Sequence, residues 1–351
     1  MHQPFFFSWN TVNVTVRGAG TVADGSPTDG VIDGHGSEWW GCAGSCPHVP
    51  YCAGGQKIGT PGSKTCPLCP KAAHPCNGVS RPHLIMMANV TDVRFIGVRI
   101  QHSPDWTLHF SSCTNVHVDG CWVYNGHNPN GDGIDIDSTQ RAVIENSHID
   151  TQDDSLCVKS GLDALGRAYA RPSRDIIFRN SYIGRGGGLT IGSEGSGSVF
   201  NITYENLMLN GTSAGVHIKS RPSRGGVMDG IYYRNIKAHN VYRLIDVNMG
   251  GACLSNASGF CSAATKPQLN NLVLDNITFT ADSHITKHVP PLKGIWGEFE
   301  GGVDGGASGI TNVTMKDVRI EFASTWTGCS AVTNGVCEGS TNECPSCFKR
   351  I

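Results

Sequence analysis

Pairs of apolar residues that flank one other residue recur along the chain, followed after a spacer by Asn, Asp or Gly. The members are Val14-Val16-Gly18, Val93-Phe95-Gly97, Val116-Val118-Gly120, Val143 and Ile144 before Asn146, Ile176-Phe178-Asn180, Ile202-Tyr204-Asn206, Ile231-Tyr233-Asn235, Leu272-Leu274-Asn276 and Val313-Met315-Asp317. Between them lie Leu108-Phe110, Ile134-Ile136, Leu156-Val158, Leu189-Ile191, Val216-Ile218 and Ile245-Val247. Such alternation predicts two interleaved families of short strands, and no helical period is sustained.

The spacing of these strands predicts a repeat architecture, since a period of roughly 20–50 residues is typical of solenoids. An all-β, right-handed, single-stranded parallel β-helix buries the inward side chains of every coil in one continuous core. The alternative is an antiparallel all-β domain, which would need tight two-residue hairpin turns, and these are scarce in the sequence.

The composition of 351 residues, with 45 Gly and 16% charged residues, suits a long solenoid with many tight corners. A solenoid grows in one dimension, so we expect a single β-helix domain over residues 1–351. Two parts depart from the strand pattern: a Cys-rich insertion at about 41–80 and a Cys-rich tail at about 326–351.

Several partner classes are excluded by charge and hydropathy. The net charge of −2 and the absence of a Lys/Arg run argue against nucleic acid. No apolar stretch approaches the roughly 20 residues needed to span a bilayer. The run Phe5-Phe6-Phe7 lacks the basic flank and the cleavage site of a signal peptide. We expect a monomer that does not bind membranes.

The chain has 15 Cys, far more than a reducing cytosol usually sustains, and this indicates a secreted protein. Most of them cluster: Cys42, Cys46, Cys52, Cys66, Cys69 and Cys76 in the insertion, Cys253 and Cys261 around a short loop, and Cys329, Cys337, Cys344 and Cys347 in the tail. We predict disulfides there. Cys113, Cys121 and Cys157 lie within coils and are predicted to be buried free thiols. The odd total leaves at least one Cys unpaired within the chain.

Two further patterns bear on this extracellular assignment. The pairs Cys66/Cys69 and Cys344/Cys347 have CxxC spacing, and His48, His74 and His83 lie near the first, so zinc is the alternative to disulfides. Seven Asn-x-Ser/Thr sequons, at Asn13, Asn89, Asn201, Asn210, Asn256, Asn276 and Asn312, fit a secreted glycoprotein. Turn Asn residues before a β-branched strand produce the same pattern.

The candidate chemistry lies in three aspartates. Asp132 precedes Ile134 as Asp154 precedes Leu156, one repeat further on. Adjacent coils of a parallel sheet are about 4.8 Å apart, so Asp132, Asp153 and Asp154 should form one cluster. Three clustered carboxylates suggest acid–base chemistry on a glycosidic bond.

The next coils carry charges in the same column. Glu194 follows one strand, and His217-Ile218-Lys219 is followed by Arg221 and Arg224. A row of acids beside a row of bases predicts a surface for an anionic sugar polymer, with Lys219 and an arginine pairing with substrate carboxylates. Any one of these charges alone could be a solvated turn residue.

These motifs resemble those of the polygalacturonases, the pectin-hydrolysing β-helix enzymes of glycoside hydrolase family 28. The family carries Asn-Thr-Asp, Asp-Asp, Gly-His-Gly and Arg-Ile-Lys on successive coils. The matching segments here are Asn130-Gly131-Asp132, Gln152-Asp153-Asp154, Gly186-Gly187-Gly188 and His217-Ile218-Lys219. The resemblance extends over about residues 10–325.

The resemblance implies hydrolysis by single displacement with inversion and no cofactor or metal. Asp153 would protonate the glycosidic oxygen, while Asp132 and Asp154 would activate a water. Crowding would keep one carboxyl protonated as the acid. Substrate contacts are expected from Lys219, His217, Asn130, Gln152, Glu194, Arg221 and Arg224. The expected substrate is an anionic plant or algal cell-wall polysaccharide.

The chain also departs from the family. Gly187 stands where the family has its active-site His, and His217 stands where it has Arg, for which Arg221 or Arg224 could substitute. No tyrosine of the next coil matches the substrate-contacting Tyr of the family. The usual first coil and secretion signal are missing before Met1, which suggests a trimmed chain.

These departures leave other functions open. The chain could be an exo-acting or rhamnogalacturonan-type hydrolase of the same family. A β-helix lyase would need a calcium-binding acid cluster with an Arg or Lys base. A non-catalytic carbohydrate-binding β-helix is the third alternative, against which the presence of all three aspartates argues.

Overall fold

The computed structural model describes residues 4–18, 30–40, 51–52, 56–57, 81–126, 130–250, 266–282, 296–300, 309–322 and 324–351. Two long sheets, whose strand pairs are all parallel, wind around one core. This confirms the predicted all-β parallel β-helix and excludes the antiparallel alternative for the described coils. The single domain over 1–351 stays a prediction.

The first sheet, sheet A, takes one strand from each coil. Its strands are Phe6–Trp9, Ile85–Ala88, Leu108–Ser111, Ile134–Asp137, Leu156–Lys159, Leu189–Ile191, Ala214–Lys219, Arg243–Asn248, Trp296–Glu300 and Thr325–Ser330. Ile134 pairs with Leu156 across the ladder, as their spacing predicted. This register positions the candidate acids.

The second sheet, sheet B, forms the remaining walls. Its strands are Val12–Arg17, Val31–Asp33, Thr91–Ile96, Arg99–Gln101, Thr114–Asp119, Trp122–Tyr124, Gln140–Glu145, His148–Asp150, Ser173–Arg179, Tyr182–Ile183, Val199–Asn210, Val227–His239, Gln268–Thr280, Ile310–Ile320, Val332–Glu338 and Lys349–Arg350. Early coils have a third strand that the apolar pattern did not predict, because these strands have only two or three residues. From Val199 onward the second and third strands run on without a break.

The core consists of the inward residues of each strand, stacked coil on coil. Phe178, Tyr204 and Tyr233 are fully buried and form a stack with centroids 4.7 Å apart at both steps. The Tyr204 hydroxyl donates to the carbonyl of Thr190 over 2.8 Å, so its one polar atom is satisfied inside the core.

Asparagines bend the chain at corresponding points of successive coils in sheet B. Asn180, Asn206, Asn235 and Asn276 all have φ between 51° and 54°, in the left-handed region that Asn tolerates better than most residues. The side-chain amides of Asn206, Asn235 and Asn276 each donate to the Asn of the preceding coil over 2.9–3.3 Å, so the four residues form a ladder. The recurrent Asn positions are therefore bends, with Asn180 between two strands and the other three within continuous strands.

The cysteines of the tail form disulfides, whereas those described within the coils are free thiols. Disulfides join Cys329 to Cys347 and Cys337 to Cys344, which confirms the tail prediction and excludes zinc at Cys344/Cys347. Cys113, Cys121 and Cys157 are buried free thiols, as predicted. The other predicted cysteine pairings fall outside the described residues.

Helix is rare in the described chain. One α-helix, Asp163–Tyr169, and one 3-10 helix, Gly36–Glu38, interrupt the strands, and the sequence pattern predicted neither. Within the insertion, Tyr51–Cys52 pairs antiparallel with Gln56–Lys57. No helix of the described residues has the length and apolar character needed to cross a membrane.

Candidate active site

The outward face of sheet A carries the candidate site. In the strands of sheet A, Ile134, Leu156 and Val216 point into the core. The residue that follows each of them along its strand therefore points to the outward face of the sheet. A single register row runs across six coils: His109, Asp135, Cys157, Thr190, His217 and Asp246. The row brings ionisable side chains from distant parts of the sequence to one surface.

The three aspartates lie at the entrance to two adjacent strands. The Gly133 nitrogen donates to the Asp154 carbonyl over 2.8 Å, so the segment carrying Asp132 stacks directly on the segment carrying Asp154. Asp132 and Asp154 are buried, whereas Asp153 is half-buried and its Oδ1 accepts the backbone N–H of Asp154 over 3.0 Å. Asp153 is therefore the member of the trio with the most access to solvent.

Asp154 is held as an anion. Lys219 Nζ lies 2.9 Å and 3.1 Å from its two carboxylate oxygens, and the Thr190 hydroxyl donates to Oδ1 over 3.0 Å. Burial raises the pKa of Asp154, but the ammonium groups of Lys219 and Lys159 outweigh this and hold the pKa well below its usual range. The pKa of Lys219 is raised, because Asp154 offsets the effect of burial.

A buried lysine that sequence reasoning missed lies between the acids. Lys159 Nζ is 3.5 Å from Asp132 Oδ2, 3.5 Å from Asp135 Oδ1 and 3.8 Å from Asp154 Oδ2. It also lies 4.6 Å from the centroid of the Trp106 ring. Period-two alternation marks Lys159 as outward-facing, but the sequence does not show that its neighbours enclose it.

Two of these carboxyls retain protons more readily than usual. Burial, with Asp135 nearby, raises the pKa of Asp132 well above its ordinary value. Burial also raises the pKa of Asp135 to about 6 against the opposing effect of Lys159. The raised pKa thus falls on Asp132, which was expected to act as a base.

Glu194 and Arg224 belong to a second ionic cluster that joins the first. Glu194 Oε2 lies 3.5 Å from Lys159 Nζ, and Glu194 Oε1 lies 3.6 Å from Arg224 Nη2. Arg224 also pairs with Asp163 of the helix over 2.8 Å and is buried. Arg221 is half-buried and makes no side-chain hydrogen bond or ion pair within the described chain. Glu194 therefore joins the cluster of acids around Lys159.

His217 lies beside Asp154 and opposite two residues of the next coil. Its Nδ1 is 3.9 Å from Asp154 Oδ1 and has no hydrogen-bond partner among the described residues. Its Nε2 lies 3.4 Å from both Asp246 Oδ2 and Arg243 Nη1. Burial, together with Lys219 and Arg243, lowers the pKa of His217 to about 3, so the ring is neutral. Sequence reasoning overlooked Asp246 and Arg243, although both follow in the next coil.

Asn130 and Gln152 lie at the edge of the cluster, and both are exposed. The Asn130 Oδ1 accepts a hydrogen bond from Arg81 Nη2 over 3.1 Å. Arg81 also pairs with Asp105 over 3.2 Å. Burial raises the pKa of Asp105 to about 7 despite this pairing. Arg81 supplies an additional cation on the Asp132 side of the site.

Gly187 explains one departure from the expected motif. It is buried against Asp154, and its backbone N–H donates to the Asp153 carbonyl over 2.7 Å. No side chain of any size fits there without moving Asp154. The site is built around the absence of a side chain at this position.

A possible metal cluster lies elsewhere, on sheet B. His117, Asp119 and Glu145 have potential ligand atoms within 4.8 Å of one another. His117 and Arg179 already occupy one oxygen each of Glu145 at 2.8 Å. The cation of Arg179 disfavours a second positive charge there.

Comparison with known proteins identifies the family. The profile of Glycosyl hydrolases family 28 matches residues 51–338. The chain belongs to this family. An endo-polygalacturonase of Pectobacterium parmentieri is 31% identical over 250 residues, which cover 70% of this chain and 54% of that protein. A probable polygalacturonase of Vitis vinifera is 30% identical over 160 residues, which cover 45% of this chain and 33% of the relative. This family 28 chain thus spans about half or less of the length of these curated relatives.

Solved structures share the fold of this family 28 chain. The exopolygalacturonase of Thermotoga maritima has a TM-score of 0.65 and 24% identity, covering 96% of this chain and 72% of that chain. The polygalacturonase of Erwinia carotovora ssp. carotovora has a TM-score of 0.54 and 25% identity, covering 74% of this chain and 60% of its own. Both support the β-helix fold.

Proposed function

We propose that this family 28 chain hydrolyses galacturonic-acid-containing polysaccharide by single displacement with inversion. The observation that carries the proposal is the arrangement of Asp132 and Asp154 around one buried ammonium, with Asp153 at the solvent side. Family membership supports a glycosidase, and the names of the relatives supply the polymer class.

Asp153 is the proposed general acid because it is the aspartate with access to a bound polymer. Its carboxyl proton moves to the glycosidic oxygen as the bond from that oxygen to the anomeric carbon breaks. A water attacks the anomeric carbon from the opposite face and gives its proton to a buried carboxylate. General acid catalysis and general base catalysis each increase the rate by about 10²–10⁴-fold.

Asp132 and Asp154 divide the task of activating this water. Asp154 is a weak base, because Lys219 and Lys159 stabilise its anion. Asp132, with its raised pKa, is the stronger base once it has lost its proton. Asp154 therefore orients the water, and Asp132 takes its proton.

The substrate contacts follow from charge and access. Lys219 is partly exposed above Asp154 and is placed to meet a substrate carboxylate. The neutral His217 is proposed to pack against the sugar bound above Asp154, because its ring is slightly exposed while its Nδ1 is buried. Gln152 and Asn130, at the exposed rim, are proposed to contact the polymer, as are Glu194 and Arg221. Arg224 is buried and is proposed to act on the polymer through Glu194, with which it pairs.

The test measures reducing ends released from polygalacturonate and from rhamnogalacturonan in the presence of a chelator. Hydrolysis releases reducing ends without an unsaturated, ultraviolet-absorbing product. Asp153→Asn should reduce the rate by at least about 10²-fold without lowering the unfolding temperature. Asp119→Asn, on sheet B, is the control. Retained activity in Asp153→Asn would remove this residue from the acid role.

The other outcomes separate the alternatives. An unsaturated product that disappears with chelator would indicate a calcium-dependent lyase. Cleavage of rhamnogalacturonan alone would assign the departures at Gly187 and His217 to substrate choice. Binding without cleavage of either polymer would favour a carbohydrate-binding protein.

The proposed location is extracellular and the proposed state monomeric. Two disulfides in the tail fit an oxidising compartment. Asn89, Asn201, Asn276 and Asn312 are exposed sequon residues whose Nδ2 atoms donate to corner residues of the preceding coil. Secretion of the intact chain into culture medium, and its sedimentation as one copy, test both.

A further inference from the structure

Lys159 is too deeply buried to bind substrate directly. It ends the strand Leu156–Lys159, and its side chain is only 4% exposed. Trp106 covers the ammonium on one side, with 4.6 Å between Nζ and the ring centroid. A lysine so enclosed cannot reach a polymer in the cleft, so its partners are the protein's own groups.

Those partners are carboxylates from three successive coils. Asp132 and Asp135 come from one coil, Asp154 from the next and Glu194 from the third. All four have an oxygen within 3.8 Å of Nζ. Burying an ion costs several kcal/mol unless it is paired, so this ammonium and these carboxylates depend on one another.

The charges of the cluster do not balance if every acid is ionised. Four carboxylates face two ammonium groups, those of Lys159 and Lys219. The carboxylates outnumber these ammonium groups, so some of the carboxyls take up protons more readily than isolated acids do. Asp132 and Asp135, whose oxygens include buried atoms without hydrogen-bond partners among the described residues, are the carboxyls whose pKa burial raises, so they take up protons first as the pH falls. The pKa of Glu194, which burial would raise, is instead lowered by Lys159.

We propose that Lys159 is a positioning residue for the hydrolysis proposed above: its ammonium draws Asp132 and Asp154 together and sets the pH at which Asp132 becomes a base. Losing the proton from Asp132 leaves a carboxylate 3.5 Å from Nζ, an arrangement that Coulomb attraction favours. Without the ammonium, Asp132 would keep its proton to higher pH.

Other titratable or charged groups surround the cluster and enter this balance. They are His83 and His109 on the Trp106 side, Cys157 on the same strand, His217 and Lys219 beyond Asp154, and Arg224 beyond Glu194. Burial lowers the pKa of His83 and His217 to about 3 and raises that of the Cys157 thiol, so all three are neutral between pH 4 and 8. The fixed positive charge around the acids is therefore that of Lys159 and Lys219, with Arg81 on the Asp132 side and Arg224 beyond Glu194.

Two variants of the full chain test this with opposite signs. Lys159→Met keeps the length of the side chain and removes the charge, so the acidic limb of the kcat/KM profile should move up by roughly 1–3 pH units. The maximal kcat should fall while KM stays within about twofold, because Lys159 does not touch substrate. Glu194→Gln frees the ammonium for Asp132, so its acidic limb should move down. Lys316→Met, exposed on sheet B, is the matched control.

A second readout does not depend on catalysis. Carbon-13 titration of the aspartate carboxyls should show Asp154 and Asp132 protonating at higher pH in Lys159→Met than in the parent chain. An equal loss of activity at every pH in both variants, or unshifted titrations, would overturn the positioning role. If the parent chain cleaves no polymer, the proposed hydrolysis fails, and the carboxyl titration still decides the role of Lys159.

Discussion

Gly187 packs against Asp154 so closely that a Cβ atom on the glycine would lie 2.7 Å from the carboxylate Oδ1. The same atom would lie 2.8 Å from the Cα of Asp154, so backbone as well as side chain would have to move. Asp154 can keep its contacts with Lys219 and Thr190 only if residue 187 has no side chain. The glycine is thus part of the machinery that orients this aspartate.

Gly187→Ala should therefore reduce kcat by about 10²-fold, because a displacement of roughly 1 Å in a catalytic group has effects of this size. Gly195→Ala is the matched control, since its Cβ would meet only the end of the flexible Met228 side chain. Steady-state kinetics on the cleaved polymer measure both. Unchanged kcat in Gly187→Ala would show that Asp154 need not hold its observed position.

Lys219→Met should affect both binding and chemistry. Removing the ammonium raises the pKa of Asp154, so the carboxylate is lost at a higher pH and the acidic limb of the rate profile moves up. KM should also rise, because Lys219 is the partly exposed cation of the pair. This rise distinguishes Lys219→Met from Lys159→Met, for which KM stays nearly constant. A pH series of initial rates gives both parameters.

Asp135 and Asp137, on one strand, should affect stability in opposite directions. The folded pKa of Asp135, about 6, lies above the unfolded value, so stability falls as pH rises from about 4 through 6. Asp135→Asn removes this pH-dependent loss of stability. The difference in free energy of unfolding between variant and parent should therefore be more favourable to the variant at pH 8 than at pH 4, by at most about 3 kcal/mol.

The pKa of Asp137 is lowered, because His109 and the Gly161 N–H outweigh burial. Its stabilisation is present above the unfolded pKa and is lost as pH falls through the folded pKa. Asp137→Asn should therefore destabilise the protein at pH 7 and do so less at pH 3. Urea unfolding at several pH values measures both variants, and parallel curves would contradict this assignment.

The tail disulfide between Cys329 and Cys347 closes a loop of 18 residues. Replacing both cysteines by alanine should lower the free energy of unfolding by up to about 3 kcal/mol, because the unfolded chain gains conformational entropy without the cross-link. Activity at low temperature should persist, since two strands of sheet A, Arg243–Asn248 and Trp296–Glu300, lie between Lys219 and the tail strand that carries Cys329. Thermal unfolding with and without a reductant checks this, because only the parent chain should lose this contribution on reduction.

The sequence predicted the coils and the meeting of Asp132 with Asp154, because both follow from local spacing. The ladder pairs Ile134 with Leu156, and this register alone stacks the two acids. Because successive coils pair in parallel, residues separated in sequence by one coil lie side by side in the sheet. That is why the acid pair could be predicted without a structure.

The burial of Lys159 could not be predicted in this way. The alternation of the strand correctly predicts that Lys159 points away from the core, and a lysine on an outward face is ordinarily solvated. Trp106 and Glu194 enclose it, and they come from loops on either side of its coil whose paths have no period. The third strands were missed for a related reason, since two or three residues are too few to show alternation.

The proposed active site occupies a short stretch of a structure that lengthens by adding coils. The strands from Ile134–Asp137 to Ala214–Lys219 supply Asp132, Asp154, Lys159 and Lys219. Coils before and after these can lengthen, shorten or acquire new loops without altering the distances between these four side chains. If the proposed hydrolysis holds, the length of polymer that is bound can change independently of the cleavage step, and chimaeras that exchange only terminal coils should change product lengths but not the rate of cleavage.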